Sequence, residues 1–164
     1  MFRFFCFFFF LATSSASLAW QLEVEKDAMT GKEEKSATVR SPEIHDIGFP
    51  YGRVGARLIV RKHPRFGRDV IFYATGGQIP CRSYDPCSVL VKFDDEKPMR
   101  FDGANPSDGS SNVVFVRGYD KFVTKASRAK RVMIEVEFWK GGSRHYSFDV
   151  SGIPEELLPA KKTK

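Results

Sequence analysis

The sequence predicts a mainly β protein: an antiparallel β-sandwich or a partly open barrel of about nine short strands with one inserted helix. Short runs in which apolar and polar residues alternate recur along the chain, and clusters of Gly, Pro, Asn and Asp separate them. Only one segment has the spacing of an amphipathic helix. Strands and helices therefore do not alternate in the way that is typical of a parallel sheet.

The first 19 residues, MFRFFCFFFFLATSSASLA, are typical of a secretory signal peptide. Arg3 supplies a positive start, and the apolar run from Phe4 to Leu11 is too short to span a bilayer. We expect cleavage after Ala19; cleavage after Ala16 and an uncleaved membrane anchor are the alternatives. The mature protein is then periplasmic or secreted, and no later segment is expected to insert into a membrane.

The mature chain opens with two predicted strands. The first is half-buried, because apolar residues alternate with polar ones at Trp20, Leu22 and Val24. The segment DAMTGKEE turns the chain, and a returning strand around residues 37–39 is expected to end at Ser41-Pro42.

The segment SPEIHDIGFPYGRVG, residues 41–55, is rich in Gly and Pro and predicts a loop. This loop is expected to pack a few apolar residues: Ile44, Ile47, Phe49 and Tyr51. A loop of this composition either covers an open end of the core or forms part of a binding surface, and covering the core is the commoner case.

Seven further strands follow from the same alternation. They are expected over residues 56–63, 70–74, 88–93, 99–101, 113–116, 132–138 and 146–150. The second of these is apolar on both faces, which is typical of a central strand. Residues 20–158 are predicted to form a single β-rich domain, and residues 159–164 a disordered basic tail.

The predicted helix runs from about Lys121 to Lys130, with Asp120 as its N-cap. Three of its residues are expected to face the core: Phe122, Ala126 and Ala129. Three basic residues are expected to lie along the opposite face as a candidate binding stripe: Lys121, Lys125 and Arg128. The other interpretation of this stripe is a solvated helix surface.

Two cysteines remain after the signal peptide, and they predict a disulfide between Cys81 and Cys87. An exported chain is oxidised in its compartment, and the ring CRSYDPC is short enough to pin a loop. A pair of metal thiolates is the alternative, although the chain lacks the four closely spaced ligands of structural zinc. Tyr84 on this ring is the second candidate binding residue, since a rigid aromatic side chain makes a contact at low entropic cost.

The sequence predicts no catalytic constellation, no metal site and no cofactor. DGANPSDGSSN lacks the oxygen ligands of a calcium loop at Ala104 and Pro106, and no G-x-S-x-G pattern surrounds a serine. His45, between two carboxylates in EIHD, is the one candidate for acid–base chemistry, with Asp46 beside it. Neither His63 nor His145 is placed near it by any local pattern.

The charge balance favours an anionic partner. Without Arg3, 25 Lys and Arg face 20 Asp and Glu, a net charge of about +5. Export argues against nucleic acid, so the expected partners are an envelope protein or a cell-wall component.

Several segments together resemble a known family. They are Trp20, the turn KDAMTGKEE, LIVRKH on a strand, VLVKFDD with its turn, DGSSNVVFV and a closing FDVSGI. In order and spacing they are similar to the small periplasmic proteins that accompany bacterial type VI secretion clusters, of the VasI/TagO kind. The chain departs from that pattern at Lys62, where the family would place a cysteine. The resemblance implies an exported, β-rich, non-enzymatic accessory protein of Gram-negative bacteria that acts by contact in the envelope.

The leading hypothesis from the sequence is therefore an exported binding or accessory protein without enzymatic activity. The alternatives are an inhibitor or immunity protein that blocks a toxin or hydrolase, and a hydrolase of cell-wall polymers using His45 and Asp46. The ligand, the strand order and the oligomeric state do not follow from the sequence.

Overall fold

The computed structural model describes residues 20–81 and 87–160. The predicted signal peptide, Tyr84 on the cysteine ring and the last four residues of the predicted basic tail lie outside the described residues.

Over these described residues the fold is mainly β, with nine strands in one antiparallel sheet and a single α-helix. Of the two predicted architectures, the partly open barrel is the observed one: the sheet curls into a half-barrel. The sheet order is β1-β2-β3-β4-β7-β6-β5-β8-β9. The elements are β1 (Gln21–Lys26), β2 (Glu33–Asp46), β3 (Arg53–His63), β4 (Gly67–Ala74), β5 (Cys87–Phe93), β6 (Met99–Ala104), β7 (Val113–Val116), α1 (Tyr119–Ala126), β8 (Arg131–Phe138), β9 (Gly142–Asp149) and a 3₁₀ turn (Glu155–Leu157).

The core lies on the concave side of the sheet, where alternate residues of the strands point inward. β4 is the central strand that its composition predicts, because it pairs with both β3 and β7. Its inward residues are fully buried, and Ile71 on its outer face is buried as well. The helix α1 packs on the same core through Phe122, Val123 and Ala126.

The first predicted strand forms as β1, but the prediction that it is half-buried is wrong. All six residues of β1 are exposed, including Leu22 and Val24. β1 lies at one end of the sheet order and pairs only with β2, so no further strand covers its apolar side chains.

The predicted break at Ser41-Pro42 is also wrong, because β2 continues to Asp46. The pairing of β2 with β3 shifts register between Arg40 and Ile44, so the segment with Pro42 lies in an irregular stretch of the strand. Proline is tolerated at such irregularities because it has no N–H to donate to a ladder.

The second half of β2 meets β9 and brings the two sides of the half-barrel together. This seam is made by side chains that bond to the backbone of β9. The Ser147 N–H donates to the Glu43 carboxylate at 3.0 Å, and the His45 Nε2–H donates to the carbonyl oxygen of His145 at 2.7 Å. Two backbone groups on the free edge of β9 are satisfied in this way.

The seam predicts an acid-sensitive contribution to stability. Burial alone would raise the pKa of the Glu43 carboxyl, but the hydrogen bonds from Ser41 and Ser147 outweigh this effect and lower the pKa from its ordinary value of 4.5. A carboxyl with a lowered folded-state pKa stabilises the fold above its unfolded pKa, and this contribution is lost as the pH falls through the folded value. We expect the melting-temperature difference between wild type and Glu43→Gln to be full above the unfolded-state pKa of about 4.5 and to shrink as the pH falls through the lower folded-state pKa.

Thermal melts of both proteins across this range test the expectation. Glu25→Gln, which removes the same charge from an exposed site on β1, is the control for a general change in net charge. A difference between wild type and Glu43→Gln that stays constant with pH would show that the Glu43 charge does not stabilise the seam.

The helix forms where predicted but begins earlier and ends earlier, at Tyr119 and Ala126. Asp120 is not its N-cap; Gly118 is, with a left-handed backbone at φ 86°. The carboxylate of Asp120 instead accepts two hydrogen bonds from the Arg68 guanidinium, at 2.6 and 3.2 Å.

The helix ends before Lys130 because the chain must turn into β8. The Asp94 carboxylate accepts the backbone N–H groups of Lys130 and Arg131, at 3.0 and 2.8 Å, and holds the turn in place. Phe122, Ala126 and Ala129 are buried, as predicted.

Candidate functional site

The most exposed large apolar residue in the described part of the chain is Phe49, which is 98% accessible. It lies in the loop between β2 and β3, which was expected mainly to cover the core. The loop does both: Ile47 is buried and Tyr51 packs against the core, whereas Phe49 is exposed, as is Ile44 at the adjoining end of β2. A fully exposed phenyl ring is unfavourable in water, so it marks a candidate contact residue.

Backbone hydrogen bonds brace this loop from within. The Ile47 N–H donates to the Gly52 carbonyl at 3.0 Å, and the N–H groups of Tyr51 and Gly52 both donate to the Gly48 carbonyl at 2.9 Å. The Asp46 carboxylate accepts the Gly48 N–H at 2.9 Å. Phe49 is therefore presented by a loop whose backbone is internally bonded.

The turn between β8 and β9 adds a second exposed aromatic residue at the same end of the half-barrel. A Cβ built on Gly141 of this turn would lie 3.0 Å from the Ile47 Cβ, so the turn and the Phe49 loop are in contact. Trp139 is 50% exposed, and the Lys140 ammonium lies 4.3 Å from the centroid of its ring. We call Phe49, Trp139 and Lys140 the aromatic end.

The loop that precedes the cysteine pair packs against the aromatic end. The backbone N–H of Trp139 donates to the Gln78 carbonyl at 2.8 Å. Gly77, with φ 86°, lies directly under Ile47 and Phe138: an added Cβ would be 2.6 Å from a Phe138 ring carbon. The three segments thus form one packed unit.

Cys81 and Cys87 lie at disulfide distance, with Cα atoms 4.7 Å apart, which is within the normal range for such a pair. Asn105 ties the start of this ring to the sheet. Its carbonyl oxygen accepts the Cys81 N–H at 2.9 Å, and its amide donates to the carbonyls of Ile79 and Val113 at 3.3 and 2.8 Å. Nothing in the sequence around Asn105 indicates this role, because the bridge depends on contacts between distant segments.

Of the predicted basic stripe, Lys121 and Lys125 lie on α1 and already have aromatic neighbours, whereas Arg128 lies after the end of the helix. The Lys121 ammonium is 5.0 Å from the ring centroid of Phe101. The Lys125 ammonium pairs with Glu96 at 2.6 Å and lies 5.7 Å from the Phe93 ring centroid. Both lysine ammonium groups therefore already have partners within the fold.

Arg128 instead faces a cleft between α1 and the C-terminal segment. The cleft has a volume of about 870 Å³. Its lining combines polar and apolar residues: Asp120, Thr124, Ser127, Arg128, Glu155, Leu158, Pro159 and Ala160.

Two of the three histidines meet in the folded chain, which no local pattern predicted. The rings of His45 and His145 are 5.8 Å apart, edge to face, across the seam. The Asp46 carboxylate bonds to the loop backbone, and the His45 imidazole bonds to the β9 backbone. Both groups of the predicted acid–base pair therefore make contacts that hold the fold together.

His63 lies apart, in a charged cluster that joins the turns at the start of β2 and the end of β3. Its Nδ1 accepts the N–H groups of Arg65 and Phe66, at 3.1 and 3.3 Å, while its Nε2 is 3.3 Å from the Glu34 carboxylate. Both ring nitrogens are thus occupied, which leaves neither one open to a substrate.

Asp27 completes this cluster. Desolvation would raise the pKa of its carboxyl, but hydrogen bonds from Thr30 and Arg65 outweigh that effect and hold the pKa below its usual range.

Among the described residues, no group of three or more His, Cys, Asp and Glu side chains is arranged to hold a metal ion. None of the helices in residues 20–81 and 87–160 has the length and apolarity needed to cross a membrane.

The fold and these surfaces define a class: a curled antiparallel β half-barrel with one helix and a braced aromatic end. Comparisons with protein-family models, with curated proteins and with solved structures found no match.

Proposed function

We propose that the chain is an exported, non-enzymatic accessory protein that acts by contact with a protein of the bacterial envelope, and that the aromatic end is its contact surface. The observation that carries the proposal is the ring of Phe49, 98% exposed on a braced loop. Burying such a ring in a partner's pocket contributes about 1.5–3 kcal/mol. The bracing keeps the entropic cost of that contact low.

Three further observations support export and an envelope partner. The first 19 residues have the composition of a secretory signal peptide. The pair Cys81 and Cys87 lies at disulfide distance, which suits an oxidising compartment. The resemblance to the small periplasmic proteins of type VI secretion clusters implies the same location, outside the cytoplasm. It makes a secretion-associated protein the first partner to test. A cell-wall component is the alternative ligand.

A second candidate function is inhibition of a toxin or hydrolase. The same observation favours it, because a protruding, braced loop is suited to filling an enzyme's cleft. The two functions differ in what the bound partner does: an inhibitor lowers its partner's enzymatic activity in proportion to the amount added, whereas an accessory protein leaves that activity unchanged.

Phe49→Ala is expected to weaken partner binding at least about tenfold, equivalent to about 1.4 kcal/mol, without changing the stability of the fold. The partner would be captured from native envelopes without reductant, identified by mass spectrometry, and its Kd measured with both purified proteins. Met29→Ala is the matched control, since Met29 is also exposed but lies in the turn before β2, beyond the opposite end of that strand from Phe49.

The proposal requires that Phe49→Ala and Met29→Ala differ. Equal affinity of wild type and Phe49→Ala for the captured partner, at equal melting temperature, would remove the aromatic end as the contact surface. An assay of the partner's activity with and without the chain then separates the accessory and inhibitor functions.

A further inference from the structure

The sheet of the half-barrel ends in two terminal strands, β1 and β9. Their outer edges differ in whether backbone groups have hydrogen-bond partners. Where β9 meets β2, Glu43 and His45 cover two of its edge backbone groups. No described strand or side chain covers the outer edge of β1 in the same way, and all six of its residues are exposed. An uncovered edge presents unpaired N–H and C=O groups that can accept another strand.

The side chains of β1 continue the two faces of the sheet. Leu22 lies opposite the buried Ala37 and therefore on the core side; it is 43% exposed, and Val24 on the same face is 52% exposed. Glu23 and Glu25 alternate with them and project from the outer face. An added strand with apolar residues on one face would cover Leu22 and Val24, and basic residues on the other face would lie near the two glutamates.

Trp20, directly before β1, carries a hydrogen-bond donor that the described structure leaves unpaired. Its ring packs partly against the core, yet its Nε1–H is buried without a hydrogen-bond acceptor in the described structure. A buried donor without an acceptor costs about 1–3 kcal/mol. A strand laid along β1 would bring backbone carbonyl groups next to this end of the edge.

We propose that β1 is a strand-addition site, which binds an extended segment of a partner protein with alternating apolar and basic side chains. A second copy of this chain is a poor occupant. The antiparallel pairing that places Leu22 opposite Val24 of a second copy also places Glu23 opposite Glu23, and like charges directly opposite are destabilising. This surface is separate from the aromatic end, so either can fail without the other.

The test uses the mature chain and three capped hexapeptides. The first, acetyl-Lys-Val-Lys-Val-Lys-Val-amide, has the predicted alternation. The second replaces each lysine by glutamate. The third replaces the central valine of the first by proline, which keeps the charge but removes a backbone donor and disrupts pairing. Titrations are followed by backbone amide NMR signals of residues 21–26 and by the two indole N–H signals, with Trp139 as the internal reference.

We expect the basic peptide to shift the signals of β1 and of the Trp20 indole, and the proline peptide to bind at least about tenfold more weakly. Reversing the charge of β1 with Glu23→Lys and Glu25→Lys should weaken binding of the basic peptide by a similar factor. The same double variant should bind the glutamate peptide. The matched control is Glu135→Lys with Glu137→Lys. These two exposed glutamates alternate in the same way on β8, which lies between β5 and β9 in the sheet.

Four results would overturn the proposal. These are no shift at β1, equal binding of the proline peptide, an equal effect of the β8 control, and self-association through β1 in place of peptide binding. Sedimentation of the mature chain over a range of concentrations detects the last of these. The first three leave the Phe49 contact untouched, because that contact is measured with a different variant and partner.

Discussion

Phe122→Ala is expected to lower the free energy of unfolding by about 3–5 kcal/mol, because it leaves a cavity in the middle of the core. Phe122 is fully buried on the inner face of α1. Its ring centroid lies 5.4 Å from that of Phe93 and 5.6 Å from that of Phe101, both edge to face. These rings belong to β5 and β6, so the substitution removes the aromatic contacts between the helix and those two strands.

The loss is large compared with the total, since domains of this size are stabilised by about 5–15 kcal/mol. Urea unfolding followed by circular dichroism measures it directly. Thr124→Ala on the same helix is the matched control: Thr124 is exposed, and its replacement should change the free energy of unfolding by less than about 0.5 kcal/mol. A loss below about 1 kcal/mol for Phe122→Ala would mean that the helix is not held by this aromatic cluster.

Most strands were predictable because one face of the strand is buried in the core and the other is not, and such half-burial leaves a period of two in the sequence. β8 is the clearest case, since Val132, Ile134 and Val136 are all buried. The same rule misled at β1, because Leu22 and Val24 have the alternation of a covered strand without a neighbour to cover them. Periodicity shows which face is apolar, and packing against other elements decides whether that face is buried: β9 is also a terminal strand, but Tyr146 and Phe148 on it are fully buried.

The curl of the sheet was not predictable from local patterns. It depends on contacts between β2 and β9, such as the bond from His45 to the His145 carbonyl, which joins residues 100 positions apart. The continuation of β2 through Pro42 has the same origin. Proline normally ends a strand, but here it occupies an irregular segment of β2 that meets β9 through the side chains of Glu43 and His45.

The candidate site was only partly predictable. The loop with Ile47, Phe49 and Tyr51 was recognisable as either a cover for the core or a contact surface, but composition does not show which rings are buried. The position of Phe49 between Gly48 and Pro50 is the one local signal for a loop tip. Trp139 carried a similar signal, since it directly precedes the turn residues Lys140 and Gly141.

Gly77→Ala is expected to destabilise the fold by about 2–4 kcal/mol, for two separate reasons. At φ 86° the backbone of Gly77 is in the left-handed region, which costs a residue with a Cβ about 1–2 kcal/mol. The added methyl group would also lie 2.6 Å from Phe138 Cδ1 and 2.8 Å from Ile47 Cδ1. Both neighbours are buried, and such overpacking typically costs about 1–3 kcal/mol.

The neighbouring substitution Gly76→Ala separates these causes from a general effect of alanine in the loop. A Cβ on Gly76 would make only an ordinary contact, 3.5 Å from a Val54 methyl carbon, and should change stability by less than about 0.5 kcal/mol. Because Ile47 anchors the Phe49 loop, Gly77→Ala should also weaken partner binding, whereas Phe122→Ala, on the far helix, should lower stability without changing Kd for the folded protein. Equal effects of Gly77→Ala and Phe122→Ala on Kd would show that binding follows overall stability and not the packing beneath the aromatic end.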